Sequence, residues 1–448
     1  MSAPGLILAA PASGSGKTLT TLGLLAHLCR SGLRVGSAKV GPDYIDPAFH
    51  TAATGTACVN LDSWAMAPPT LAGLVASAGA GADLVVCEGV MGLFDGADVE
   101  PGQPDGCTAE IAALTGWPVV LVIDARRMAG SAAAVLAGFA RLRPDVAVAG
   151  VIFNQVSSDK HRRMIASACA RHCPEVRLLG FMPSIADLVV PSRHLGLVQA
   201  CEHPDLPAFL AAAAAAVANH LRVDELCALA RPARLNGAMP CPLPVLGSRI
   251  AIAYDQAFAF TYAAVLDGWR RAGAELNFFS PLADQAPDGD AVYLPGGYPE
   301  LHAGQLAANA TFLNGLRAIA GRGGAILGEC GGYMTLGTSL EDADGVTHAM
   351  AGLLPVATSF AQRSLHLGYR RATLRAASVL GPTGLGLRGH EFHFARTIDE
   401  GPGNEGPGTP LFAIADAAGR ALGNSGWQVG SVLGSFIHLI DANGPDSP

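Results

Sequence analysis

Lys17 and Thr18 close the run SGSGKT, which follows an apolar stretch directly. Glycines in such a turn let backbone N–H groups converge on one point. A helix starting there adds the positive end of its dipole, so the loop suits phosphate. Ser13, Gly14, Ser15, Gly16, Lys17 and Thr18 are therefore read as nucleotide-binding, with Lys17 reaching the β/γ-phosphates of ATP and Thr18 ligating Mg²⁺. The strict pattern has glycine where this chain has Pro11.

Mg²⁺ needs hard oxygen ligands. KVGPDYIDP carries Asp43 and Asp46, and VVCEGVMGLFDG carries Glu88 at the end of an apolar run, with Asp95 beyond. Open α/β sheets bind ligands at the carboxyl ends of their strands. Asp43 and Glu88 are expected to join Thr18 at the metal. Asp46 stands before Pro47 and reads equally as turn chemistry.

A second chemistry sits in GGAILGECGGYMTLG. An apolar strand, a sharp turn bearing Cys330 and a helix start form a nucleophile elbow. Gly328, Gly331 and Gly332 permit its strained backbone. The helix start is expected to lower the thiol pKa. The turn YLPGGYPE supplies Gly296 and Gly297, and the N–H groups of Gly297 and Gly331 are the expected oxyanion hole. A base is also needed. His438 ends an apolar strand in GSVLGSFIHLI, while His390 and His393 compete from RGHEFHF.

The elements that must position these groups follow from the apolar pattern. Strands are expected at 5–10, 33–39, 83–88, 118–124, 146–153 and 176–182, with helices at 17–30, 130–142 and 159–172. That alternation implies a parallel, doubly wound sheet. An Ala-rich helix at 206–221 ends this half, and the proline-rich stretch after it reads as a linker. Strands near 249–254, 274–279, 290–295 and 324–329 and a helix at 258–272 start the pattern again, with a surface loop at 400–410. The expected architecture is α/β with two doubly wound domains: 1–229, a linker at 230–247, and 248–448.

With 448 residues, half of them hydrophobic, the chain can bury large cores. Net charge is −8 and no basic block occurs, so nucleic acid is not an expected partner. The Ala-rich stretches 128–140 and 208–218 are too short to span a membrane, and the first residues lack the basic start of a signal peptide. Ten scattered cysteines without a Cys-x-x-Cys pair suit a reduced, cytoplasmic setting; Cys169 and Cys173 lack a second cluster to complete a metal site.

Taken in order, SGSGKT, VGPDYIDP, CEGVMGLFDG, GVIFNQV, PSRHLGL, AYDQAFAF, GGYPELHAGQLAAN, ECGGYM, LGYR, RGHEFHF and the final HL resemble the cobyrinic or hydrogenobyrinic acid a,c-diamide synthases, nearly end to end. The resemblance implies a dethiobiotin-synthetase-like P-loop domain followed by a class I glutamine amidotransferase domain of the Cys–His kind. It also implies amidation of the c and a side chains of the macrocycle, each through an acyl phosphate, with ATP and glutamine consumed and a protected path for ammonia. A homodimer is plausible by resemblance. Carried over by position, Cys330 is the nucleophile and His438 its base; Lys39, Asp43, Tyr44, Ile45, Arg193 and His194 border the substrate. Gly368–Arg370 and His390–Glu391 recur in the family without an assigned role. Triad-type amidotransferases carry Glu two residues after the histidine, where this chain has Ile440, so the third member is open. Gln155 and Ser184 stand where basic residues are usual, Ser63 stands where small or apolar residues vary, and Glu110 lies near a commonly acidic site. Two other readings compete: a sister amidoligase for another tetrapyrrole such as nickel-sirohydrochlorin, and a non-catalytic P-loop regulatory protein. Whether the ring holds cobalt is open, with a lean toward the cobalt-free acid.

Overall fold

The computed structural model describes residues 3–442 apart from 157, 186–187, 189–191, 194–195, 239 and 402–407. The chain divides into two units: Met1–Trp64, Pro68–Ala97 and Pro104–Met239 form the first, and Ala65–Ala67, Asp98–Gln103 and Pro240–Pro448 the second.

In the first unit strand and helix alternate. β1 (Pro4–Ala9), α1 (Lys17–Arg30), β2 (Val35–Val40), α2 (Asp46–Thr54), β3 (Val59–Leu61), α3 (Pro68–Ala78), β4 (Leu84–Glu88) and α4 (Thr108–Thr115) come first. Then follow β5 (Val119–Asp124), α5 (Ser131–Leu142), β6 (Val148–Asn154), α6 (Asp159–His172) and β7 (Arg177–Phe181). The strands lie in the order β3-β2-β4-β1-β5-β6-β7, every neighbour parallel. Parallel strands covered on both faces read as continuous apolar runs, and β1, β4 and β5 are buried along nearly their whole length. The chain moves to one side of β1 through β2 and β3, and to the other through β5, β6 and β7. Such a reversal leaves a crevice at the carboxyl ends of the central strands. Beyond a small ribbon, β8 (Ser192–Arg193) with β9 (Gly196–Leu197), α7 (Leu206–His220) packs on α1. The approach is close: a Cβ on Gly23 would stand 2.7 Å from the Ala213 carbonyl oxygen. After α8 (Val223–Cys227), β10 (Arg231–Pro232) pairs antiparallel with β1, so the start of the stretch read as a linker joins the first sheet.

The second unit opens with β11 (Arg249–Ala253), α9 (Ala263–Arg271), β12 (Glu275–Phe279), β13 (Ala291–Leu294), α10 (Ala303–Ala308), α11 (Ala310–Gly321), β14 (Ala325–Glu329) and α12 (Gly331–Leu336). Helix α9 starts five residues later than expected. The residues before it turn through the Phe258 N–H to Asp255 carbonyl bond, and Phe260 pairs with Gly296. Strands then dominate: β15 (Ser339–Glu341), β16 (Thr347–Ala349), β17 (Val356–Ser359), β18 (His366–Leu374), β19 (Gly386–His393), β20 (Arg396–Glu400), β21 (Thr409–Ala415), β22 (Ala421–Val429), β23 (Val432–Ser435) and β24 (Ile437–Asp441). Ten of the strands form one sheet in the order β12-β11-β13-β14-β23-β22-β21-β18-β19-β24. It is parallel through β23 and antiparallel beyond. A side sheet runs β16-β15-β17-β20. Among the described residues no helix is long and apolar enough to cross a membrane, and none of the ten cysteines forms a disulfide.

Candidate active sites

The phosphate loop joins β1 to α1. Gly16 caps α1 at φ 88°, and a Cβ there would stand 2.0 Å from Asn154 Nδ2, so only glycine fits. Asn154, at the end of β6, braces the loop by donating to the Ser15 carbonyl at 3.0 Å. The Ser15 hydroxyl donates to the Ala12 carbonyl, while Ser13 and Gly14 are exposed at the tip. Lys17 Nζ donates to the Met91 carbonyl at 3.0 Å. Burial, then the neighbouring Lys39, pull Lys17 down to about 8, against the pull of Glu88, Asp46 and Asp43.

Glu88 is fully buried where β4 ends. Thr18 Oγ1 donates to its Oε1 at 2.6 Å, Lys39 Nζ reaches the same oxygen at 3.1 Å, and His50 Nε2 lies 2.8 Å from Oε2. Burial alone would raise Glu88, but Lys39, His50 and Lys17 hold it well below the usual carboxylate range. Lys39 is buried among Asp46, Glu88 and Asp43, with Asp43 Oδ2 at 3.8 Å. Burial opposes its charge, yet Asp46, Glu88 and Asp43 raise it well above the usual lysine value. Asp46 itself is pushed up to about 7 by burial and by Asp43. Its role exceeds turn chemistry, since it is the nearest anion to Lys39. Asp43 Oδ1 accepts the Ile45 and Asp46 amides, and Asn60 Nδ2 holds the Gly41 and Asp43 carbonyls. Tyr44 and Ile45 are buried, leaving Pro42 and Asp43 as the partly exposed part of this turn. Asp95 accepts the Gly92 amide at 2.9 Å and so shapes the loop carrying Met91. The Arg193 backbone lies in β8; His194 falls outside the described residues. Ser63 hydrogen-bonds Glu110, which also accepts the Asp105 and Gly106 amides at the start of α4.

In the second unit Cys330 takes φ 48° and ψ −103° between β14 and α12. Such strain is stored where a side chain must be presented sharply. The Cys330 amide donates to the Ser435 carbonyl at 2.8 Å and the Gly332 amide to that of Pro295 at 3.1 Å, pinning the elbow between two strands. A Cβ on Gly296 would stand 2.3 Å from His438 Cε1, 3.1 Å from its Nε2 and 3.3 Å from Cys330 Cβ. Cys330 and the His438 imidazole therefore flank Gly296 on one face, with the Cys330 thiol 4.0 Å from the Phe392 carbonyl oxygen. The Gly297 amide nitrogen lies 3.1 Å from where a Gly331 Cβ would be, which brings the two expected oxyanion donors together.

The expected thiolate is corrected. Burial, then the charge of Glu300, push the Cys330 thiol well above its usual value, and a hydrogen bond from the Gly331 backbone only partly opposes this. Helix α12 has six residues, too little to outweigh full burial. His438 is likewise lowered to about 3, by burial first and then by His390 and His393. Burial thus works against the charged form of both the thiol and the imidazole.

Ile440 is buried, and the carboxylate whose charge reaches His438 is Glu391. His390 is the register partner of His438 across β19 and β24. Arg370 Nε donates to Glu391 Oε2 at 2.6 Å, and His393 Nε2 lies 2.9 Å from Oε1. Burial opposes ionisation of Glu391, but His393 and Arg370 bring it down from 4.5 to about 2. A lowered carboxylate stabilises the fold above its unfolded pKa and loses that contribution as pH falls through its folded value. The shift corresponds to about 3 kcal/mol. Glu391→Gln is expected to lower the melting temperature at pH 7 and to narrow its gap to the parent protein toward pH 2. Melting curves across that range check this. His366, Glu391 and His393 also place ligand-type atoms within 4.8 Å of one another. The two imidazoles stack at 5° with centroids 4.7 Å apart, whereas a shared metal must lie in the plane of both rings.

Gly296→Ala is expected to displace His438 or Cys330 and cut glutamine hydrolysis about 100-fold or more, with ammonia-driven activity retained. Paired steady-state assays check it.

His50, Asn154 and Asn60 were not singled out from the sequence. Each acts through a partner distant in the chain, so no local spacing marks it. The first unit is thus a P-loop nucleotide-binding domain and the second carries a Cys–His site in a glutamine amidotransferase domain. Residues 6–197 match the CobQ/CobB/MinD/ParA nucleotide binding domain and residues 249–445 the CobB/CobQ-like glutamine amidotransferase domain. A hydrogenobyrinate a,c-diamide synthase of Brucella anthropi is 49% identical over 443 residues, 98% of each chain. That of Rhodobacter capsulatus is 52% identical over 439 residues, covering 97% of this chain and 98% of its own. That of Rhizobium meliloti is 49% identical over 440 residues, covering 98% of this chain and 99% of its own. The chain belongs to the hydrogenobyrinate a,c-diamide synthase family.

Proposed function

We propose that the protein converts the a- and c-carboxylates of hydrogenobyrinic acid to amides, using ATP to activate each and glutamine as nitrogen donor. One observation carries this reading. A chain aligning with those synthases over nearly its whole length holds both a phosphate loop backed by Glu88 and a Cys–His pair across Gly296. A carboxylate is a poor electrophile, and phosphorylation gives it a leaving group. The macrocycle carboxylate takes the γ-phosphoryl group, ADP leaves, ammonia attacks the acyl phosphate, and phosphate departs.

Lys17 exchanges the Met91 carbonyl for β/γ-phosphate oxygens and offsets charge during transfer. Thr18 Oγ1 and Glu88 Oε1, 2.6 Å apart, are hard donors that fit Mg²⁺, with Asp43 as the third candidate; the ion would supply charge neutralisation on the phosphates. Lys39 acts by holding Glu88 and Asp46. The turn at Asp43, Tyr44 and Ile45 and the segment with Arg193 and His194 border the macrocycle side chain.

In the second unit His438 takes the Cys330 proton as sulfur attacks the glutamine amide. Burial disfavours a standing ion pair here, so proton transfer accompanies attack. The amides of Gly297 and Gly331 face the developing oxyanion. His438 passes that proton to the amide nitrogen, which leaves as ammonia, and water then hydrolyses the thioester to glutamate and the free thiol.

Mass spectrometry after incubation with ATP, Mg²⁺ and glutamine tests the reading. Two successive replacements of hydroxyl by amine on hydrogenobyrinic acid are expected. Reaction of cobyrinic acid alone would contradict the substrate assignment.

A further inference from the structure

Glu329 ends β14 one residue before Cys330, and the chemistry above leaves its carboxylate unused. It is nearly fully buried, at 2% exposure. Oε2 accepts the Tyr293 hydroxyl at 2.7 Å, and Oε1 accepts the Leu439 amide at 3.1 Å. Tyr293 lies on β13, three residues before Gly296; Leu439 follows His438 on β24. One carboxylate therefore bonds to the strand that leads into the oxyanion turn and to the strand that carries the base, from the strand that carries the nucleophile. The backbone ladder joins β14 to β13 and β23, and β24 to β19 at the far end of the sheet order. The Glu329 side chain adds a direct bond between β14 and β24.

We propose that Glu329 is a positioning residue for glutamine hydrolysis, a three-strand clamp that sets the Cys330 thiol against the His438 imidazole. The proposal rests on Cys330 being the nucleophile. A buried carboxylate is a costly way to fill this space. Burial pushes Glu329 up to about 7, and its two hydrogen bonds only partly counter that. What it supplies that leucine would not is two directed acceptors, and active geometry is sensitive at the scale they control.

The test uses the full-length protein. Glu329→Leu deletes both bonds. Glu329→Gln keeps both, its carbonyl accepting the Leu439 amide and its amide donating to the Tyr293 oxygen. Tyr293→Phe deletes one bond while keeping shape. Glu329→Leu is expected to lower kcat for glutamine hydrolysis about 10–100-fold, with KM for glutamine little changed. Labelling of Cys330 by a diazo-ketone glutamine analogue should slow in step, and ammonia-driven amidation should persist. Glu329→Gln should recover most of the loss, and Tyr293→Phe should fall between. An unchanged kcat in Glu329→Leu would overturn the proposal. So would equal impairment of the Leu and Gln variants, or a parallel fall in ammonia-driven amidation. Should Glu329→Leu not fold, a Tyr293→Phe variant with the kcat of the parent protein would overturn it too. Glutamine hydrolysis persisting in Cys330→Ala would instead sink the underlying assignment, which keeps the two failures apart.

Discussion

Cys330→Ala is expected to lose glutamine-dependent amidation by about 1000-fold or more, because the thiol that forms the thioester is removed. The same variant should still amidate its substrate when ammonia is supplied at high concentration. The reason is separation of labour. The elbow at Cys330 belongs to the second unit, whereas Lys17, Thr18, Lys39 and Glu88 belong to the first. Removing one sulfur from a buried position changes nothing in the Glu88 network. Alanine keeps the Cβ but still sits at positive φ, so the strain at 48° remains and stability should change little. Initial rates with glutamine and with an ammonium salt, on one preparation, check this. Loss of both activities would mean that Cys330 supports more than nitrogen supply.

Glu88→Gln carries the second large effect, in the opposite sense. Its carboxylate holds Thr18, Lys39 and His50 together. Glutamine has the same shape but no charge, and its amide would face cations with hydrogens. Lys39 and His50, the latter raised to about 10 by its contacts with Cys58 and Glu88 against the pull of burial, would face a neutral group. Removing one partner from buried charges of this kind typically costs about 3–5 kcal/mol. Amidation should fall about 100–10000-fold, with glutamine or ammonia alike. Glutamine hydrolysis by the second unit should stay within about threefold of the parent protein, a change near 0.6 kcal/mol in barrier. Parallel loss of hydrolysis would make Glu88 a residue of general folding.

Much of this was legible in the sequence because both sites begin at strand ends. A buried parallel strand is an apolar run, and the residues just after it are fixed by topology. Glu88 is the last residue of β4, Cys330 follows β14 directly, and Lys17 and Thr18 open the helix that follows the turn after β1. Groups that arrive by long-range packing were not legible in the same way. His50 reaches Glu88 from α2, and Asn154 reaches Gly16 from β6. Neither has a spacing that announces a partner. The antiparallel half of the second sheet was equally obscure. Its strands β18, β21 and β22 are only half covered, so their apolar signal is diluted by polar residues. The thiol went the other way. A helix start suggested a thiolate, but sequence shows the turn without the depth of burial, and burial decides the sign.

On the proposed reaction, nitrogen freed at Cys330 becomes amide nitrogen through ATP-driven activation at the phosphate loop. Incubation with glutamine labelled by heavy nitrogen at its side-chain amide, ATP and hydrogenobyrinic acid, followed by mass spectrometry of the product, tests it most directly. A diamide with both new nitrogens labelled is expected, and no product when ATP is left out. A diamide formed without ATP, or one carrying unlabelled nitrogen in the absence of added ammonia, would contradict it.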